Sequence, residues 1–285
     1  MNDAPTAPDP TTRKVKLRFK TIFISDVHLG MPDSKAAQAS HFLRNSLCEK
    51  LVLNGDIIDA WHLRRLGGWN RSHTSFIRTV LRKMEKEDTR IIYLRGNHDD
   101  VLDRFIPIEF ENFLITDEHV HRTSRGDYLV VHGDGFDAVT TNHAWLARLG
   151  GLGYNALLRI NRIYNAWRVW RGKPPFSFSA WVKQKVKSAV GAAGKYEEQL
   201  QNLARQRHCA GIICGHIHKA DDKIIGETHY LNSGDWVESM TAIVEHLDGR
   251  FEIIGYQEFC RLTRRVPKIR ADEIADPPGR VEIPV

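Results

Sequence analysis

Seven residues of this 285-residue chain stand out as candidate metal ligands, and they fall in five short motifs. The motifs are Asp26-Val27-His28, Gly55-Asp56, Gly96-Asn97-His98-Asp99, His132-Gly133-Asp134 and Gly215-His216-Ile217-His218. Carboxylate, imidazole and amide oxygen together suit divalent manganese, iron or zinc. A pair of such ions needs one carboxylate shared between them and further donors on either side. Asp26, His28, Asp56, Asn97, His132, His216 and His218 supply such a set. Asp56 is expected to bridge, with positions left for water and substrate. Each motif alone is weak, since a D-x-H or H-x-H is more often a surface accident or a capping pair. Five in this order, each behind an apolar run, are specific.

Those runs are the elements that must position the ligands. Thr21–Ser25, Leu51–Asn54, Ile91–Arg95, Tyr128–Val131 and Ile212–Cys214 are short, β-branched and bounded by turn residues, which predicts buried strands. Helical periodicity fills the gaps over Ser34–Leu47 and Ser72–Glu87, the latter with Phe76, Ile77, Val80, Leu81 and Met84 at three- and four-residue spacing. Strands alternating with helices predict βαβ units and a layered α/β sheet, whose ligands gather at the carboxyl ends of the strands. From Lys223 to Tyr256 the pattern changes to strands without helices, expected to pair as antiparallel hairpins. Asn232-Ser233-Gly234-Asp235-Trp236 is expected to be a scaffolding turn. Helices are also expected over Tyr154–Arg171, Phe178–Val190 and Tyr196–His208.

The ordered set D-x-H, G-D, G-N-H-D, H-G-D, G-H-x-H resembles the calcineurin-like metallophosphoesterase superfamily, over roughly Thr21 to Tyr256. The resemblance implies a four-layer αββα sandwich with a dimetal site at the strand ends. It places Asp26, His28, Asp56 and His218 on one ion, and Asp56, Asn97, His132 and His216 on the other. It makes His98 the catalytic imidazole, with Asp99 orienting it. The implied reaction is metal-dependent phosphoester or pyrophosphate hydrolysis by a metal-activated hydroxide, with two divalent ions, Mn first and Fe or Zn as alternatives.

Within that superfamily, Gly55-Asp56-Ile57-Ile58-Asp59-Ala60-Trp61 resembles the G-D-x-x-x-x-W run of the UDP-2,3-diacylglucosamine hydrolases of lipid A biosynthesis. Those enzymes carry a helical lid between H-G-D and G-H-x-H, where this chain has a cationic, aromatic stretch. The chain departs from them in having His98 where they have Arg, and Lys219-Ala220 where Arg-Pro is common, so it looks like a divergent branch. The resemblance leads us to expect a lipid-linked nucleotide diphosphate as substrate, met by Trp61, Arg95, Arg159, Trp167, Lys183 and Lys187. The alternative is a phosphodiesterase, nuclease or phosphatase acting on nucleotides or nucleic acid.

Composition agrees with a folded chain and places its charge. Forty-one Lys and Arg against thirty-five Asp and Glu give +6. Ala138 to Tyr196 contains ten bases and no acid, so the rest of the chain carries −4. A charged helix face in solution normally mixes signs. A one-signed segment instead suggests a polyanionic partner: a phosphorylated, lipid-bearing substrate, an anionic membrane surface or, less favoured, nucleic acid. Residues 1–16 are expected to be a disordered leader, 17–137 and 209–262 the core, 138–208 a helical lid, and 263–285 a tail. Four cysteines without a C-x-x-C pair, no signal-peptide pattern and no apolar run of about 18 residues predict a cytoplasmic protein, with peripheral contact to the inner membrane allowed.

Overall fold

The computed structural model describes residues 16–135, 171 and 196–263. The chain divides into two compact units, Met1–Asp134 with Arg207–Val285, and Gly135–Gln206. Of the second unit the described residues give Gly135, Arg171 and a helix over 196–206. The expected lid contacts Arg159, Trp167, Lys183 and Lys187 lie outside the described residues, as do the predicted helices at 154–171 and 178–190.

The first unit is built on two sheets. A seven-stranded sheet runs in the order β12 (Phe251–Gly255), β11 (Thr241–Glu245), β1 (Leu17–Ile24), β2 (Ser46–Asn54), β3 (Arg90–Leu94), β5 (Phe113–Thr116), β4 (Ile108–Phe110). A five-stranded sheet runs β6 (Glu118–Thr123), β7 (Gly126–Val131), β8 (Gly211–Cys214), β10 (Thr228–Asn232), β9 (Asp221–Ile225). Parallel pairing joins β1, β2, β3 and β5 in one sheet and β7, β8 and β10 in the other, and antiparallel strands close the edges. The expectation of antiparallel hairpins after Lys223 holds for β9–β10 and β11–β12. On its other edge β10 lies parallel to β8, and β11 crosses to the other sheet, antiparallel to β1.

Side-chain alternation along the strands sorts the core into two layers. Phe23, Val52, Ile92 and Leu94 of the large sheet meet Tyr128, Val130, Ile213 and Leu231 of the small one. Their neighbours Ile22, Ile24, Leu51, Leu53, Ile91 and Tyr93 face the other way, onto a layer of helices. That layer comprises α1 (Ala36–Arg44), α3 (Arg71–Glu87) and a last helix, Tyr256–Leu262; a short α2 (Ala60–Leu66) follows β2. Helix, sheet and sheet are thus three of the layers expected. Strands buried on both faces read as continuous apolar runs, which is why β1, β2 and β3 were visible in the sequence.

One boundary differs from the expectation. The predicted helix 34–47 stops at Arg44, because Ser46 and Leu47 pair with Leu17 and Arg18 as the start of β2. The Ser46 hydroxyl donates back to the Phe42 carbonyl at 3.0 Å, marking the switch. Strands β4, β5 and β6 and a 3₁₀ turn over Asp100–Phe105 had no counterpart in the sequence reading. The scaffolding expected of Asn232–Trp236 is present: Trp236 is fully buried, and its backbone N–H donates to the Asp26 carbonyl at 3.0 Å.

Candidate metal centre

All five motifs sit at the carboxyl ends of β1, β2, β3, β7 and β8, three strands from one sheet and two from the other. The loops are laced together by backbone. The Asp26 N–H donates to Gly55 O at 3.0 Å, the His28 N–H to Asp56 O at 2.9 Å and the Gly215 N–H to His132 O at 3.0 Å. Asp26, His28, Asp56, His216 and His218 all have left-handed backbone, with φ of 52°, 49°, 52°, 69° and 53°. Outside glycine that region is sparsely used, and Asp, Asn and His tolerate it best. Ordinary strand φ would instead leave each side chain standing perpendicular to the sheet. Gly96 permits the closest approach: a Cβ there would strike the Asp56 carboxylate and amide. At Gly55, φ is 81° and a Cβ would strike the His132 ring.

Ligand atoms gather in three groups, each within 4.8 Å: Asp26, His28 and His218; Asp56, His132 and His216; and His28, Asp59 and His98. His28 Nε2 lies 3.3 Å from His218 Nε2, and His218 Nε2 lies 3.1 Å from Asp26 Oδ1. His132 Nε2 lies 3.4 Å from Asp56 Oδ2. Despite these short separations, Asp26 Oδ1 and His132 Nε2 have no hydrogen bond among the described residues, and nor has Asn97 Oδ1. Donor atoms converging tip to tip, unaligned for hydrogen bonding and buried, fit a shared cation better than they fit one another. The far side of each ring is held as ligating imidazoles are held. His132 Nδ1 meets the Asn54 carbonyl at 2.8 Å, and His28 Nδ1 meets Asp59 Oδ2 at 3.2 Å. The residues therefore fit divalent ions.

Electrostatics follow the same geometry. Burial drives the Asp26 pKa up, but His218, His132 and His28 outweigh it and hold the carboxyl below its usual range. Burial pulls His132 down, yet Asp56 and Asp26 raise it to about 10. For His98, burial is outweighed by Asp59, Asp56 and Asp99, so its pKa is raised. Asp99 is pushed up to about 7 by burial and then by the Asp56 charge, against hydrogen bonds from Ile58 and Ile57.

Two expectations change here. Asp99 does not meet His98. Its carboxylate accepts from the Ile57 and Ile58 N–H groups at 3.1 and 2.9 Å, pinning the G-D loop. The carboxylate at His98 Nδ1 is Asp59, at 3.0 Å, a residue absent from the ligand inventory although its spacing in G-D-x-x-D was in view. Arg95, expected to face phosphate, is instead held by Asp134 at 2.5 Å and Asp103 at 3.1 Å. Trp61 lies beside His98. Its ring lies 4.6 Å from His98 at 36°, its Nε1 donates to Asp100 at 3.1 Å, and it is 44% exposed.

A family model described as calcineurin-like phosphoesterase matches residues 19–220. A UDP-2,3-diacylglucosamine hydrolase from Ralstonia nicotianae is 30% identical over 139 residues, 47% of this chain and 50% of that protein. The chain thus spans about half the length of the curated relative it matches. Among solved structures, an archaeal phosphodiesterase aligns over 82% of this chain and 98% of its own, with 12% identity and a TM-score of 0.38. The E. coli phosphoesterase YfcE aligns over 83% and 98%, with 15% identity and a TM-score of 0.34.

Proposed function

The chain belongs to the calcineurin-like phosphoesterase family, and from that premise we propose that it is a dimetal phosphohydrolase cleaving the pyrophosphate of a lipid-linked nucleotide. The observation that carries the class is the convergence of the Asp26–His28–His218 and Asp56–His132–His216 groups at four strand ends, five of the six residues on left-handed backbone. Asp26, His28, Asp56 and His218 would hold one divalent ion, and Asp56, Asn97, His132 and His216 the other, with manganese the first choice. When bound, such ions supply Lewis acidity toward phosphoryl oxygens and acidify water.

The remaining chemistry belongs to the chain. His98 keeps a proton through its Asp59 contact and presents it to a phosphoryl oxygen or the leaving group. The His98 N–H donates to Asp56 Oδ1 at 2.8 Å, fixing the imidazole's backbone relative to the shared carboxylate. The choice of substrate has lighter support: the Ralstonia relative's name, the G-D-x-x-x-x-W run, and apolar side chains exposed on α2 and the adjoining 3₁₀ turn, namely Trp61, Leu66, Val101 and Phe105. In this reading Arg159, Trp167, Lys183 and Lys187 of the cationic segment meet diphosphate and acyl chains, and the enzyme works in the cytoplasm or on the inner face of the membrane. Among the described residues no helix is long and apolar enough to cross a membrane.

Manganese-loaded protein assayed on UDP-2,3-diacylglucosamine and on a generic phosphodiester tests both levels. Release of UMP from the lipid nucleotide is expected. Turnover of the generic diester alone would remove the substrate and keep the class. Loss of both with every divalent metal would remove the class.

A further inference from the structure

A cavity lies far from this chemistry, at the opposite ends of the strands. Lys16 immediately precedes β1, whereas Asp26 follows it. Eight strand residues at about 3.3 Å each separate the two ends by roughly 26 Å. The cavity has a volume of about 330 Å³, at the small end of the range of roughly 300–1,000 Å³ typical of ligand sites. It is lined by Lys16, Arg44, Thr79, Arg82, Lys83 and Glu87, with His41 and Asn45 alongside, so four cationic side chains stand against one carboxylate.

That carboxylate is fully used. Glu87 Oε1 takes the Lys16 amine at 2.6 Å, and Oε2 takes the Lys83 amine at 2.9 Å. Lys83 is 1% exposed and also donates to the Ser46 carbonyl at 2.8 Å, so one wall carries a fixed, buried charge. Arg44 reaches only the neutral Ser75 hydroxyl, at 3.1 Å, and among the described residues neither Arg44 nor Arg82 has a carboxylate partner. Two guanidinium forks without an acid, beside a buried ammonium in a concave site, match the planar oxygen pairs of phosphate.

We propose that this cavity is a second anion site, separate from the metal centre, which binds a phosphate group carried either by a free nucleotide or by an anionic phospholipid headgroup. The site needs no metal and leaves the hydrolytic residues untouched.

The test compares the metal-loaded wild type with Arg44→Gln/Arg82→Gln, both exposed positions, and with Arg82→Glu alone. Inorganic phosphate and UMP are titrated calorimetrically. Flotation with phosphatidylcholine vesicles, with and without phosphatidylglycerol, probes the headgroup. The wild type should show a binding event beyond the metal centre, which the variants weaken by at least about tenfold while generic diester turnover stays unchanged. Two charge-assisted hydrogen bonds are lost, each worth more than a neutral one. Loss confined to phosphate and UMP assigns a free nucleotide, and loss confined to phosphatidylglycerol vesicles assigns a headgroup. Identical phosphate, UMP and vesicle binding by wild type and both variants would overturn the proposal.

Discussion

Asp59 serves two imidazoles at once, lying 3.2 Å from His28 Nδ1 and 3.0 Å from His98 Nδ1, and it also caps α2 through the His62 N–H at 2.6 Å. Carboxylates placed behind ligating histidines typically set metal affinity by about 10–100-fold. Asp59→Asn should therefore weaken metal binding by about that factor in a calorimetric titration. It should also move the basic limb of the pH–rate profile to lower pH. The sign follows from His98: Asp59 helps raise its pKa, and an imidazole without that charge gives up its proton sooner as pH rises. An unmoved limb would return Asp59 to a purely capping role. Gly96→Ala should cost turnover about hundredfold or more, with metal content falling in parallel, since its Cβ would displace Asp56. The proposed metal ligands were legible because each follows a strand on one short turn. Asp59 was not, because an aspartate before a helix reads as a cap, and the cap is real. Asp99 misled through chain adjacency: it follows His98 directly, yet the two side chains leave the turn in different directions.

At the scale of elements, legibility followed burial. Strands β1, β2 and β3 declared themselves by apolar runs. All three residues of β4 are exposed, and every residue of β6 but Val120 is charged or polar, so neither could be told from a loop. The two sheets are tied by a contact equally invisible in sequence: Glu245 of β11 meets His121 of β6 at 2.8 Å, both fully buried, with Lys20 at 2.9 Å and Thr21 at 2.8 Å. Burial alone would raise the Glu245 pKa, but His121, Lys20 and Thr21 bring it down to about 2 from 4.5. A folded pKa below the unfolded one gives stability that is complete above the unfolded value and is lost as pH falls from about 4.5 to about 2. Urea melts across that window should show a loss of stability that Glu245→Gln reduces by on the order of 2–3 kcal/mol. At α3, Asn70 accepts from the Ser72 and His73 N–H groups at 2.9 and 3.2 Å, so Asn70→Ala should cost about 1 kcal/mol in the same assay.

On the scale of the molecule, the proposed metal centre would be a joint. Asp26, Asp56 and Asn97 follow strands of the seven-stranded sheet, while His132, His216 and His218 follow strands of the five-stranded one. Any ion bound by both sets clamps the sheets at one end, as Glu245 and His121 clamp them within. Manganese at about a hundred times its dissociation constant should add roughly 3 kcal/mol of stability, read as a rise in melting temperature that Asp56→Asn abolishes. The same clamp links the chain's lifetime to the ion supply of the cell. An unfilled joint opens more often, proteases act on the open form, and a difference of about 1–2 kcal/mol changes steady-state abundance several-fold. Metal scarcity would thus be registered twice, first as idle enzyme and then as missing enzyme.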